Sequence, residues 1–412
     1  MTSLGLFALV ITISAIFGIV NSKTLRLPFT IGILSISIIF SAALVLADKF
    51  VPWPVLQWVK ETLERIDMGR VLLDGALSFL LFAGAQSVDL RAMSERKFSV
   101  LALALFGTVF AVILFALGIG IAFALAGLVV APVWCVVLGA ILAPTDPVSV
   151  VGMLRRLGLP PQLQALFAGE SLFNDGVAVA VFTVALDMAV QSHMPTMFDL
   201  GHIFLLEVGG GILTGLAGGW VAQKAIGIVD DAHLELLITL ALCTGVYSLC
   251  GAWGMSGPIA AVTAGLFIAA PRTQSKITET GRKTLHIFWE LADEILNALL
   301  FVLMGFAILE VTFSTSLLVA SLIALPLSLL VRAASVFLAT LPVYLRGQGR
   351  ASVLTVLTWG GLRGGISVSL ALGLPPGPEH DILLGVCYSV VVFTILVQGL
   401  TMEAVVKRFS FS

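Results

Sequence analysis

Ala143-Pro144-Thr145-Asp146-Pro147 sets a carboxylate between two prolines inside 131–154, an apolar run long enough to cross a bilayer. Neither proline has an amide hydrogen to extend the helical ladder, so the run predicts a span broken at Thr145-Asp146. Interrupted backbone at membrane depth survives only where protein or a water-filled cavity satisfies it. An acid held there is costly, and its default reading is functional.

The same pattern recurs twice. The next apolar run, 162–190, holds Gly169-Glu170-Ser171-Leu172-Phe173-Asn174-Asp175-Gly176, with two more acids at depth. Far along the chain, Trp359-Gly360-Gly361-Leu362-Arg363-Gly364-Gly365-Ile366 interrupts the run 351–373. Each glycine there weakens a helix by about 1 kcal/mol relative to alanine, which predicts a second break. The broken runs are the fifth and twelfth apolar segments, so they cross in opposite senses. That is the signature of an inverted repeat, spans 1–6 against 8–13 with span 7 as connector.

Working outward, apolar segments at 3–21, 27–47, 69–88, 98–126, 131–154, 162–190, 201–227, 234–252, 256–270, 284–311, 314–344, 351–373 and 381–406 predict an all-α polytopic membrane protein of thirteen transmembrane helices. Composition agrees: 59% of residues are hydrophobic and 11% charged, with mean hydropathy +1.09, where soluble domains carry roughly 25% charge. The net charge of −2 argues against a nucleic-acid surface. Lys23, Arg26, Arg91, Arg96, Lys97, Arg155, Arg156, Lys224, Arg272, Lys276, Arg282, Lys283, Arg346, Arg350, Lys407 and Arg408 all follow odd-numbered segments. The positive-inside rule then places the N-terminus outside and the C-terminus in the cytoplasm. The first apolar run lacks a basic leader and a small-residue cleavage site, so it reads as a first span and not a signal peptide. Lys49, Lys60, Arg65 and Arg70 all fall in the connection 48–70, where helical spacing of Trp58, Val59, Leu63 and Ile66 among charges predicts an interfacial amphipathic helix. Cys135, Cys243, Cys250 and Cys387 stand singly in apolar runs and read as core residues. The five histidines fall at or near span ends, which removes a midplane haem pair or histidine relay.

At 1.5 Å per residue, Asp175 lies about 20 Å along span six, near mid-membrane. Ser171 and Asp175 share one helical stripe, and Glu170 and Asn174 share the next. Hard monovalent cations take oxygen ligands, which the Asp175 carboxylate, Ser171, Thr145 and freed carbonyls offer together with water. Protons and cations then compete for Asp175. Arg332 and Arg363 are the basic side chains at depth; the planar fork of Arg363 suits Glu170 as a structural ion pair, while Arg332 is left to snorkel or to meet a lipid phosphate. Asp146 can accept from the Asn174 amide. Glu290, Asp293 and Glu294 form an acidic stripe that lines a cytoplasmic funnel or faces water, and Asp74, Asp187 and Glu207 read as solvated span-end acids. An intramembrane aspartyl protease also needs two aspartates in adjacent spans, but Asn174 and Pro147 leave no spare acid to share a proton. A passive cation channel gives no role to a single acid reached by both ions.

In order, spacing and placement, the three motifs resemble those of the NhaP-type sodium/proton antiporters, prokaryotic relatives of the animal sodium/proton exchangers. The Asn174-Asp175 pair is similar to this branch rather than to relatives with two aspartates. The resemblance implies a non-enzymatic inner-membrane homodimer that exchanges Na⁺ or Li⁺ for H⁺ electroneutrally by an elevator motion, with K⁺/H⁺ exchange as the alternative. It implies a dimerisation domain in 1–95 and 201–345 and a core transport domain in 96–200 and 314–408, their boundary near span eleven being approximate. It makes Asp175 the carrier, Ser171 and Thr145 Na⁺ ligands, Asp146 and Asn174 stabilisers of the crossover, and Glu170 the partner of Arg363. No cofactor is implied beyond the transported ions. One departure stands out: Leu81-Phe82-Ala83-Gly84-Ala85 carries no acid where some members place a span-three glutamate. The end at Ser412 without a tail domain leads to the expectation of no nucleotide or calmodulin regulation.

Overall fold

The computed structural model describes residues 3–48, 76–191, 201, 205–309, 311–312, 314–342 and 349–409, so the expected interfacial helix within 48–70 lies outside the described residues. Among the described residues every regular element is helical. The main ones are α1 (Ser3–Lys23), α2 (Phe29–Asp48), α3 (Leu77–Ser87), α4 (Lys97–Leu125), α5 (Pro132–Ile141), α6 (Pro147–Arg156), α7 (Pro161–Gln191) and α8 (Leu205–Ile226). They continue with α9 (Ala232–Ala252), α10 (Gly257–Ala269), α11 (Glu279–Phe306), α12 (Thr315–Thr340), α13 (Arg350–Trp359), α14 (Gly365–Leu372) and α15 (Glu379–Arg408).

By length and composition, eight of the described helices can cross a membrane, and shorter apolar helices, α3, α5 and α10 among them, accompany them. Polar caps mark several helix starts. Asp231 accepts from the amides of His233 and Leu234 at the start of α9, and these bonds, that from Leu234 foremost, hold its carboxyl below the usual carboxylate range. Thr278 Oγ1 accepts from Gly281 N at 3.0 Å and so caps α11. Large apolar side chains such as Phe98, Leu117, Leu213, Leu322 and Leu330 are exposed, as a lipid-facing surface requires. All four cysteines are buried and free.

Helix packing follows small residues. On α8, a Cβ at Gly211 or Gly215 would lie 2.7 Å from Ser256 O or 2.6 Å from Ala260 O, so this glycine stripe lets α8 and α10 approach backbone to backbone. Around that contact α3, α9 and α11 pack on one another, and α11 carries α1 and α2. Elsewhere α4 lies against α5 and α12, α5 against α7, and α15 against α12 and α14. Helix α7 touches both sets, meeting α5 and α6 on one side and α10 on the other. The acids of span six are therefore held along the seam between two packed groups of helices.

Candidate ion-binding site at two crossed breaks

Both expected breaks are present. Helix α5 stops at Ile141 and α6 starts at Pro147; α13 stops at Trp359 and α14 starts at Gly365. The two extended stretches cross, and Asp146 N donates to Leu362 O at 2.8 Å. Gly364 sits at the closest approach: a Cβ there would lie 2.8 Å from Asp146 Cβ.

The break at 142–146 exposes carbonyls because its prolines bring no amide to them. In an unbroken helix residue 147 would donate to Ala143 O, and Pro147 cannot. Arg363 supplies the missing donor: its Nη1 reaches Ala143 O at 2.7 Å and Pro144 O at 3.1 Å. Its own backbone amide is received by Thr394 Oγ1 at 3.1 Å. The guanidinium, 3% exposed, is thus committed to the broken span.

The expected Glu170–Arg363 pair is accordingly corrected. Glu170, 1% exposed, is held by Arg332, whose Nη1 meets Oε1 and whose Nη2 meets Oε2 at 3.0 Å. Arg332 also donates to Leu357 O through Nε at 3.3 Å and Nη2 at 3.1 Å, tying α7, α12 and α13 together. It neither snorkels nor stands free for a lipid phosphate, being buried inside the protein. The physical reason is the demand for donors. The orphaned carbonyls of one break take one arginine, and a bidentate carboxylate at the same depth takes the other.

The remaining residues of span six gather at Thr145. Asn174 Nδ2 donates to Thr145 Oγ1 at 2.7 Å, where the sequence suggests Asp146 as its partner. Thr145 Oγ1 also shares a hydrogen bond of 2.9 Å with Ser171 Oγ, and the Thr145 amide bonds to the Asp175 carboxylate. Asp175 is 4% exposed, and its Oδ1 has no hydrogen-bond partner among the described residues.

Asp175 lines a cavity of about 70 Å³ together with Thr145, Asp146, Asp293 and Asn297, with Leu80, Leu81 and Gly84 of α3 on its wall. Ser171 and Asn174 are not on the lining; they stand behind Thr145 and fix its hydroxyl. A second cavity of about 490 Å³ adjoins it, sharing Gly84, Leu172 and Asp293, and Glu290, Glu294, Gln274 and Arg282 face that larger space. The acidic stripe thus lines a funnel beside the site. The depth of Asp293 and the role of Arg332 are what sequence reading missed. A hydrophobic period tells which residues share a face of α11, but not that this face meets the crossover. The arrangement offers one buried, unpartnered carboxylate oxygen, a positioned hydroxyl and room for water, which suits a proton or a partly dehydrated monovalent cation.

Comparisons with known proteins cover most of the chain. The family profile described as "Sodium/hydrogen exchanger, transmembrane" matches residues 10–408. A protein named Na(+)/H(+) antiporter NhaP from Pseudomonas aeruginosa is 39% identical over 98% of this chain and 96% of its own length. A low-affinity Na(+)/H(+) antiporter, NhaS1, from Synechocystis is 31% identical over 90% of this chain and 73% of its own length. Among solved structures, the sodium proton antiporter MjNhaP1 of Methanocaldococcus jannaschii at pH 8 superposes with a TM-score of 0.74 at 19% identity, covering 98% of each chain. That likeness is one of fold.

Proposed function

We propose, from the premise that this chain belongs to the sodium/hydrogen exchanger family, that it exchanges Na⁺ for H⁺ across the membrane through competition for Asp175. The protein is a multi-pass membrane transporter and not an enzyme. The observation that carries the reading is Asp175, which lines a cavity at the crossed breaks and whose buried Oδ1 is unpartnered among the described residues. A carboxylate so placed is neutralised by a proton or by a cation, but not by both at once. One group holding one charge in each direction makes the exchange electroneutral. Asn174 beside it adds no second titrating charge and holds Thr145 in place as a ligand.

In this reading Thr145 Oγ1 and water complete the coordination of Na⁺ or Li⁺, and Ser171 enters through Thr145 or directly after a small rearrangement. Asp146 and the crossed backbones keep the half-helix ends apart, and Arg363 offsets the carbonyl dipoles there. The helices carrying Asp175 and both breaks move as a core, residues 96–200 and 314–408. They move against the rest of 1–95 and 201–345, which join two protomers, the shared stretch 314–345 going with the core because α12 packs on α4 and α15. The seam along α7 is where that sliding occurs. The funnel opens beside Gln274 and Arg282, the side to which the positive-inside rule assigns the cytoplasm. In this reading the funnel faces inward, in a cell membrane with the N-terminus outside and the C-terminus inside.

A second reading, K⁺/H⁺ exchange, draws on the wall formed by Leu80, Leu81 and Gly84 of α3, which brings no acid to tighten the site around a small ion. Purified protein in liposomes, with an imposed pH gradient and dye recovery on addition of Na⁺, Li⁺ or K⁺, tests both. Recovery with Na⁺ and Li⁺ is expected. Recovery with K⁺ alone gives the second reading, and no recovery with any cation rejects antiport.

A further inference from the structure

Asp293 has no part in the exchange scheme above, yet it lines the small cavity together with Asp175 and the large funnel together with Glu290 and Glu294. Its two acidic neighbours on α11 are differently placed. Glu290 is exposed and stands 3.9 Å from His286, Glu294 is exposed too, and both line the larger cavity but not the smaller. Asp293 alone of the three reaches the site. Asn297, one turn deeper, donates through Nδ2 to Asp293 Oδ1 at 3.1 Å and to Asp293 O at 2.9 Å, which fixes the carboxylate. No Lys, Arg or His lies in salt-bridge range of Asp293 among the described residues. Across the cavity, the buried Asp175 Oδ1 is without a partner among the described residues. Both carboxylates line the same small cavity as Asp146. The wall that α3 contributes offers two leucines and Gly84, with no oxygen ligand from its side chains.

We propose that Asp293 is a cation-capturing residue, which takes a hydrated monovalent cation from the funnel through water and passes it to Asp175. The inference rests on the antiport reading and deepens it. A cavity lined by several carboxylates focuses potential and raises the local concentration of cations. The carboxylate that α3 lacks is supplied from α11, one wall away. Asp293 belongs to the helices packed around α3 and α10, whereas Asp175 belongs to the set carrying the breaks. When one group slides on the other, Asp293 stays behind. It therefore acts on cation uptake from the funnel side and not from the opposite face.

Sided membrane vesicles separate these cases. In everted vesicles, where added cation meets the cytoplasmic face, Asp293→Asn should raise the half-saturating Na⁺ concentration about tenfold, with the maximal rate falling by less than half. In right-side-out vesicles the same variant should match the parent in half-saturation. Asp293→Glu should recover most of the lost affinity, since it restores the charge. Asn297→Ala, which frees the carboxylate without removing it, should give a smaller shift of the same sidedness, and it serves if Asp293→Asn fails to fold. A merely structural role would instead lower the melting temperature and reduce the maximal rate on both faces. An unchanged half-saturation, or an equal change on both faces, in an active parent background overturns this inference alone. A parent protein without cation-driven proton flux removes the antiport reading and this inference with it.

Discussion

The two breaks answer one geometric problem with opposite chemistry. At 142–146 the helix is stopped by Pro144 and Pro147, which leaves carbonyls without donors and puts an acid, Asp146, at the crossing. At 360–364 it is stopped by glycines, which let the backbones touch, and the residue at the crossing is Arg363. A proline break is rich in acceptors, so it attracts cations. A glycine break is slender and can deliver a guanidinium to the carbonyls its counterpart has orphaned. The fold thus repeats itself while the charge does not. In the exchange scheme proposed above, transport chemistry gathers at the acid-bearing break, the other break already carrying the compensating charge.

The hardest blow to that comparison is Asp175→Asn. It keeps the shape and removes the carboxylate whose Oδ1 has no partner among the described residues, so cation-coupled proton flux in liposomes should fall to background while the protein still elutes as the parent does. Retained flux would move the carrier role elsewhere.

The next test asks whether the two arginines do separate work. Glu170→Gln leaves Arg332 buried without its counter-charge, and breaking a buried pair from one side costs about 3–5 kcal/mol, read as a lower melting temperature in detergent. Arg332→Gln should do the same, and the double variant should recover most of the loss. Arg363→Gln orphans the carbonyls of Ala143 and Pro144, at about 1–3 kcal/mol for each unsatisfied group. Combined with Glu170→Gln, its cost should simply add. Recovery in that second double variant would instead couple Glu170 to Arg363.

Gly364→Ala probes the close approach by sterics alone. The new methyl would meet Asp146 Cβ at 2.8 Å, for a cost of about 1–3 kcal/mol and reduced exchange. Gly245→Ala on α9, where a Cβ meets nothing within 4 Å, should be neutral or stabilising by up to about 1 kcal/mol. Equal effects at the two glycines would mean that the crossing does not require one.

The mildest probe changes only pH. With proton and cation contending for Asp175, apparent Na⁺ affinity should weaken as pH falls, by about tenfold per unit below the site's own pKa. A half-saturation that does not change with pH would separate the two ions onto different groups, since competition at one shared carboxylate makes the apparent affinity for Na⁺ depend on the proton concentration.

Much of this was legible in the chain itself. The apolar runs, the positions of both breaks, the depth of Asp175 and the burial of the cysteines follow from local properties: span length, proline and glycine in a helix, rise per residue. The partner of Glu170 does not. Arg332 lies in an unbroken apolar helix and Arg363 in a conspicuous motif, so proximity in pattern pointed to the wrong guanidinium. That the Asn174 amide meets Thr145 was hidden for a similar reason, since rotation about a helix axis decides which neighbour a side chain meets. Asp293 was readable as part of a stripe but not as a wall of the site, because the angle at which α11 passes the crossover is absent from any periodicity.

By itself, then, the sequence determined an all-helical membrane protein with two interrupted spans and an acid buried at depth, because backbone hydrogen bonding in lipid leaves few alternatives. Only the tertiary structure decided which arginine serves the carbonyls and which serves Glu170, which oxygens stand around Asp175, and that α11 brings a third carboxylate to the cavity. Those choices depend on how helices rotate and cross. Packing over the whole chain sets that geometry, and no single segment encodes it.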